Sequence, residues 1–317
     1  GSGGYSAEYT PLSEQDELGQ SLLVMRKNLK EYAEDMEEKV RQRTAEVVRQ
    51  KEEIEKQSDQ IAELYEQVKD SILYAKRIQE AILPSIEEID NALKHSMVLF
   101  RPKDIVSGDF YWFSERGGKA IIAAADCTGH GVPGALMSMI GSSLLNEIVN
   151  EKGITSPAEI LLALKYGVIK ALNKNPSTDQ TKDGMDIAIC AIPKEGNKFE
   201  FAGANNPLWQ IRNGEIIEYR GDRQPVGFFG DNFDTPYTNH TIEIEPNDEV
   251  YIFSDGYADQ FGGPNGKKFK YSQFKKLLVD MNGIPMREQK EVLNSRIEEW
   301  MGIEEQIDDI LVIGIRF

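Results

Sequence analysis

The sequence has few cysteines and histidines, and it has no apolar run long enough to cross a membrane. Its two cysteines, Cys127 and Cys190, form no CxxC motif, and its three histidines show no zinc-binding spacing. A reducing compartment is therefore the simplest expectation. Because no apolar run approaches the roughly 20 residues that span a bilayer, and no secretory signal is present, we expect a soluble, cytoplasmic chain.

Basic residues are outnumbered by acidic ones. The chain has 36 Lys and Arg against 53 Asp and Glu, which gives a formal net charge of −17. A surface of this charge repels nucleic acid, so nucleic acid is excluded as a partner. It also disfavours a phosphorylated substrate, unless bound cations reverse the local field.

Glycine and proline are absent from residues 21–83, which predicts one long helix. Apolar residues recur there at alternating steps of three and four, as in the seam of a coiled coil. The seam positions are Leu18, Leu22, Met25, Leu29, Tyr32 and Met36, then Ile61, Tyr65, Val68, Ile72, Ala75, Gln79 and Ile82. The register changes between Met36 and Val47, which locally alters the supercoil. We predict a homodimer through a parallel coiled coil of residues 18–83; a solitary helix, or one packed on its own domain, is the alternative.

The N-terminal residues indicate a piece of a longer protein. "GSGG" at residues 1–4 is typical of a cloning scar, so residues 1–15 are predicted to be tag and linker. "DELGQSLLVMRKNL", residues 16–29, resembles the start of the second helix of HAMP signal-relay domains. The resemblance implies that residues 16–83 are a HAMP-derived signalling helix, with an upstream sensor anchored in the inner membrane. Pro84 is expected to end the helix.

Beyond about residue 95 the pattern changes to short strands with helix pairs between them. "KAIIAAAD" is typical of a buried strand, and "RNGE" of a hairpin turn. Apolar residues at helical spacing predict helices over residues 133–150, 157–174, 272–281 and 286–300. Residues 84–317 are therefore predicted to form an α+β sandwich, with sheets inside and helices outside.

Acidic residues lie at the edges of several apolar strands, beside glycine or another carboxylate. They are Asp109 in "VSGDFYW", Asp126 in "AAADCTGHG", Asp255 in "YIFSDGYAD", and Asp308 and Asp309 in "EQIDDILVIGI". Each alone is more often a turn or cap residue, but burying several like charges together is costly unless they coordinate a metal. Oxygen ligands without His or Cys indicate Mg²⁺ or Mn²⁺. Two such ions could share a carboxylate and activate a water between them.

Several motifs in residues 84–317 occur in the order of a known family. They are "RPKDIVSGDFYWF", "AADCTGHGVPGALMSMIG", "DGMDIAICAI", "FAGANNPLW", "QPVGF", "FSDGYADQF" and "DDILVIGI". The ordered set resembles the SpoIIE/RsbU-type serine/threonine phosphatases, the bacterial branch of the PPM metal-dependent phosphatases. The resemblance implies a ββ sandwich flanked by helix pairs, with two Mn²⁺ or Mg²⁺ ions at one end.

Applied motif by motif, the resemblance implies the metal ligands. Asp126 would bridge the ions and Asp109 would be the aspartate of the "GD" motif, and both would be catalytic. Cys127 would bind through its backbone carbonyl, and Asp255 would be the "SDG" ligand. In the final pair, Asp308 would close the site, while Asp309 could share or replace that role.

The glycines after Asp126 fit the same interpretation. Gly129, Gly131 and Gly134 would let the backbone approach the ions closely before a helix begins.

Weaker candidates lie near the same motifs. His130 could protonate the leaving oxygen, although a histidine here is more often a packing or capping residue. Arg101 and Lys103 could contact substrate phosphate, and are otherwise surface charges. Asp186 could join the site, but is more often a strand-edge cap.

The resemblance implies hydrolysis of phosphoserine or phosphothreonine on a partner protein, a STAS-domain anti-sigma antagonist, by a water that two metals activate. It also implies that helices 133–150 and 157–174 act as a switch, which the coiled coil would bias. Two alternatives stay open: a HAMP-linked nucleotide cyclase, which also uses paired aspartates and two metals, and a catalytically silent scaffold.

Overall fold

The computed structural model describes residues 10, 11, 13, 15–172, 183–227 and 235–317. The chain divides into two compact units, residues 1–70 and 71–317. The predicted tag and linker at residues 1–15 lie mostly outside the described residues. The last two residues of the predicted helix 157–174 and Phe228 of the "QPVGF" motif also lie outside them.

Helix α1 runs without a break over Glu17–Ile82, as the absence of glycine and proline predicts. In the first unit its seam side chains are exposed in the single chain, for example Leu18 at 74% and Met25 at 61%. The last turns of α1 belong to the second unit, and there Gln79 is buried. At Gln79 the predicted coiled-coil seam therefore packs on its own domain. The earlier seam residues form an apolar stripe that is exposed to solvent in a single chain.

The second unit contains two antiparallel sheets. One has the strand order β1, β13, β10, β6, β7, and the other has the order β2, β3, β4, β5, β9, with β8 paired to β4. The strands of the first sheet are β1 Ser96–Arg101, β6 Leu208–Arg212, β7 Glu215–Tyr219, β10 Glu249–Phe253 and β13 Ile310–Arg316. Those of the second are β2 Phe110–Arg116, β3 Lys119–Cys127, β4 Gly184–Pro193, β5 Lys198–Ala204, β8 Val226–Gly227 and β9 His240–Glu243. A short hairpin, β11 Phe261–Gly262 and β12 Lys267–Lys268, stands apart from both.

Helices cover the outer face of each sheet. On the second sheet lie α3 Gly131–Leu145, which continues as a π-helical turn Asn146–Glu151, and α4 Pro157–Leu172. On the first lie α6 Tyr271–Asp280 and α7 Met286–Met301. The helices predicted at these four places are confirmed. The sequence did not predict α2 Ile86–Ala92, the π-helical turn, or the single turn α5 Gly256–Asp259.

Strand β3, which contains the run of small apolar residues in "KAIIAAAD", is buried on both faces of its sheet. Ile121 and Ala123 pack in the core under α3 and α4, whereas Ile122 and Ala124 pack in the core between the two sheets. A third core lies between the first sheet and helices α6 and α7. The result is the four-layer sandwich, with helices outside two sheets, that the sequence predicts.

Contrary to the expectation from the sequence, one helical stretch among the described residues, Gly131–Glu151, has the length and apolar composition to cross a membrane. Half of its most apolar window is buried inside the domain, as in the core helix of a globular protein. We therefore assign it to the core.

A buried ion pair within the first sheet also contacts α7. Glu249 is fully buried, and its carboxylate accepts hydrogen bonds from Arg316 and from the Tyr251 hydroxyl. The Gln289 side chain and the Gly283 backbone N–H donate to the same carboxylate. Because Arg316 is the cation among these partners, it supplies the charge that a buried carboxylate needs.

Candidate active site

Sheet topology brings the acidic residues to one edge of the sandwich. Asp109 directly precedes β2, and β2 runs antiparallel to β3, which ends just after Asp126. Asp255 follows β10, and β10 runs antiparallel to β13, which begins just after Asp309. In each sheet the start of one strand lies beside the end of its neighbour. The Gly108 N–H of one sheet's loop donates to Asp309 of the other, so the two strand ends meet on one side of the sandwich.

Strand β4 adds a carboxylate to this edge. Asp186 is the direct cross-strand partner of Asp126, and the next pair is Cys127 and Met185. The Asn205 side chain donates to Asp186 at 2.8 Å. Asp186 is therefore part of the acidic cluster, although its motif alone favoured a strand-edge cap.

Glycines bring three backbone segments close together beside this cluster. A Cβ on Gly108 would lie 2.5 Å from the Gly129 carbonyl oxygen and 3.3 Å from that of Cys127. A Cβ on Gly134 would collide with the same Gly129 oxygen and lie 2.8 Å from the α-carbon of Gly108. Gly129 and Gly131 have positive φ angles of 83° and 65°. Gly108 and Gly134 thus pack closely against the Gly129 backbone. That the glycines also let the backbone approach bound ions stays a prediction.

The two final aspartates have different surroundings. Asp309 is buried, and its two carboxylate oxygens accept backbone N–H bonds from Lys103 and Gly108, each at 2.7 Å. Asp308 is half-buried, and its Oδ1 accepts from the Asp309 N–H at 2.9 Å. Since Asp309 is occupied in holding the loop before β2, Asp308 is the better candidate for a ligand.

The carboxylates raise one another's pKa values. Burial and the Asp255 charge raise the pKa of Asp126 to about 8, and burial and Asp308 raise the pKa of Asp255 to about 6. Burial, followed by the Asp126 charge, raises the pKa of Asp109 well above its usual range. The cluster therefore resists full ionisation unless positive charge is supplied.

The donor set at this edge fits hard cations. The Asp109 Oδ2 atom is buried and has no hydrogen-bond partner, which is rare for a carboxylate oxygen. Burial raises the pKa of the Cys127 thiol, so its side chain stays protonated and its carbonyl is the group available as a donor. In the described part of the chain, no three His, Cys, Asp or Glu side chains already have metal-site spacing. An all-oxygen cluster with an unpaired buried oxygen fits Mg²⁺ or Mn²⁺, and a metal would draw its members together.

The weaker candidates lie in different surroundings. His130 directly precedes α3, makes no capping bond, and its Nδ1 lies 2.9 Å from Asp104 Oδ2. Arg101 donates to the Asn294 and Glu298 side chains, so α7 already holds it. No sequence pattern indicated the pairing of His130 with Asp104, because the two lie in separate motifs.

Comparisons with known proteins agree with this fold. The family model of stage II sporulation protein E (SpoIIE) matches residues 116–317. The SiaA-PP2C domain of Pseudomonas aeruginosa is 33% identical, with a TM-score of 0.71, over 80% of this chain and 98% of that one. The PP2C phosphatase domain of SpoIIE from Bacillus subtilis, solved with part of its regulatory domain, is 20% identical, with a TM-score of 0.55, over 70% of this chain and 62% of that one. At that identity it supports the fold alone. A search of curated proteins gave no match.

The fold and the acidic edge define a PP2C-type, or PPM, protein serine/threonine phosphatase. The chain belongs to the SpoIIE family, as its motifs indicate.

Proposed function

We propose that this phosphatase uses two Mn²⁺ or Mg²⁺ ions to hydrolyse phosphoserine or phosphothreonine on a STAS-domain partner protein. The observation that carries the proposal is the cluster of mutually repelling carboxylates at the end of the sandwich, with its unpaired Asp109 oxygen. In a chain of net charge −17, such a cluster repels phosphate unless cations bind to it.

Asp109, Asp126, Asp255 and Asp308 would hold the ions, together with the Cys127 carbonyl. Bound metals would neutralise phosphate oxygens and lower the pKa of a coordinated water. Asp309 would keep the loop before β2 in place through its backbone hydrogen bonds. Asp186, fixed by Asn205, would add negative charge beside Asp126.

Release of phosphate tests this function. We would incubate the chain with Mn²⁺ and a phosphoserine STAS-domain protein, and in parallel with a phosphoserine peptide, ATP and GTP. Release from the STAS protein above that from the peptide supports the proposed substrate class. Formation of a cyclic nucleotide would support the cyclase, and Mn²⁺ binding without turnover of any substrate would contradict this substrate assignment.

The proposal includes regulation by a second copy of the chain. The exposed stripe on residues 18–70 has heptad spacing, which a parallel coiled coil with an identical helix would bury. Helix α3 ends in a π-helical turn, a feature that often marks functional sites in helices. We infer that the dimer biases α3 and α4, with the upstream sensor supplying the signal. The domain and the dimer are proposed to lie in the cytoplasm.

A one-residue insertion after Ser58 tests the coupling. It would rotate the preceding helix by about 100° relative to the residues that follow. We expect basal phosphatase activity to change several-fold, whereas a seven-residue insertion at the same point, which restores the heptad, should leave it near the wild-type value. Equal activity of all three proteins would show that the helix is a passive tether.

A further inference from the structure

We propose that Gln79, at the end of α1, is a positioning residue that holds the Asp109 loop against helix α3. The inference rests on the proposed metal-dependent function, because it concerns how one of the proposed ligands is held. Gln79 lies in the second unit, as do all its partners.

The Gln79 carboxamide forms three hydrogen bonds with two residues. Its Oε1 accepts from the Ser107 backbone N–H at 3.1 Å, and its Nε2 donates to the Ser107 carbonyl at 2.6 Å. The same Nε2 donates to the Ser138 hydroxyl of α3 at 2.9 Å. Gln79 is only 6% exposed, and Ser107 is fully buried. A single side chain therefore binds both backbone polar groups of one loop residue and also a neighbouring helix.

The loop that Gln79 holds leads directly into the site. Ser107 precedes Gly108, whose N–H donates to Asp309 and whose backbone packs closely against that of Gly134. Asp109 follows, with its unpaired buried oxygen. Hydrogen bonds with Gln79 and Asp309 thus hold two successive residues of this loop. Loss of either support is expected to shift the Asp109 carboxylate relative to Asp126.

A positioning role of Gln79 changes the metal requirement, and a purely structural role does not. A buried glutamine that only stabilises the fold would affect the free energy of unfolding and leave the metal requirement alone. Residues that orient a metal ligand without touching the metal typically change metal affinity or activity about 10–100-fold when mutated. The Mn²⁺ dependence therefore separates the two roles.

The test uses the full chain with Gln79→Met, which keeps a similar length but cannot form the three hydrogen bonds. Glu80→Met is the matched control, since it places the same side chain at the next position, where the native side chain is 61% exposed. One readout is the Mn²⁺ concentration that gives half-maximal hydrolysis of p-nitrophenyl phosphate. The other is hydrogen–deuterium exchange of the metal-free protein in peptides covering residues 103–112 and 134–141.

For Gln79→Met we expect the half-saturating Mn²⁺ concentration to rise about tenfold. The kcat at saturating Mn²⁺ should stay within about twofold, because the chemistry of the loaded site is unchanged. Exchange should become faster in both peptides, and Glu80→Met should match the wild type in every readout. If Gln79→Met fails to fold, Ser138→Ala, which removes one acceptor, should give a smaller shift in the same direction.

Unchanged exchange in both peptides would overturn the inference, and so would an unchanged Mn²⁺ requirement. If the wild type hydrolyses nothing but Gln79→Met still exchanges faster in these peptides, the positioning contact stands and the proposed function fails. The two failures are therefore distinguishable.

Discussion

Asp126→Asn is expected to lower Mn²⁺-dependent hydrolysis of phosphoserine by at least ~10³-fold. Asp126 is close to other carboxylates, since the charges of Asp255, Asp308 and Asp186 raise its pKa. Metal ions contribute several kcal/mol to stabilising a phosphoryl transition state, and ~4 kcal/mol corresponds to about a 10³-fold change in rate. The measurement is kcat/KM at saturating Mn²⁺.

The control for this variant is Asp280→Asn, the same change at an exposed position at the end of α6. It should keep wild-type activity. Folding of Asp126→Asn is checked by thermal unfolding with a chelator. Because the pKa of Asp126 is raised to about 8, its ionisation destabilises the fold increasingly from its usual pKa up to about pH 8. The Asn variant should therefore unfold at a temperature equal to or above that of the wild type at pH 8. Activity within tenfold of the wild type would contradict the assignment of Asp126 as a ligand.

Arg316→Met is expected to lower the free energy of unfolding by about 3–5 kcal/mol, since it leaves a buried carboxylate without its counter-charge. Arg316 donates to the Glu249 carboxylate and to the Ile284 carbonyl, and Glu249 has no exposed surface. The measurement is urea denaturation followed by tryptophan fluorescence.

Arg287→Met is the matched control, because Arg287 is 90% exposed and lies 3.6 Å from Asp90. A surface pair of this kind contributes ~0–1 kcal/mol, so the control should unfold almost as the wild type does. Equal losses in the two variants would mean that burial of Glu249 does not determine the energy of its ion pair.

The sequence predicted the layers and located the acidic segments for a physical reason, whereas their convergence came only from the family resemblance. Asp126 ends an apolar strand and Asp109 begins the next neighbour in the sheet, and antiparallel pairing places such positions together. The same holds for Asp255 and the Asp308–Asp309 pair in the other sheet. Local patterns thus located the segments that carry the aspartates. The family motifs indicated that the strand ends of the two sheets meet.

Other features depend on contacts between distant segments, which no local pattern encodes. Asp309 differs from Asp308 because the loop at Lys103 and Gly108 turns its N–H groups toward it. Gln79 occupies a seam position of the predicted coiled coil, yet it contacts Ser107 and Ser138, which lie 28 and 59 residues away. Asp186 looked like a strand cap until the register of β3 with β4 placed it opposite Asp126.

The acidic edge is proposed to hold catalytic metal ions, and direct titration with Mn²⁺ tests this proposal best. Binding followed by electron paramagnetic resonance of free Mn²⁺ gives the number of ions per chain without relying on any substrate. We predict two ions per wild-type chain, fewer in Asp126→Asn, and the wild-type number in Asp280→Asn. Absence of binding to the wild type, or equal binding to wild type and Asp126→Asn, would contradict it.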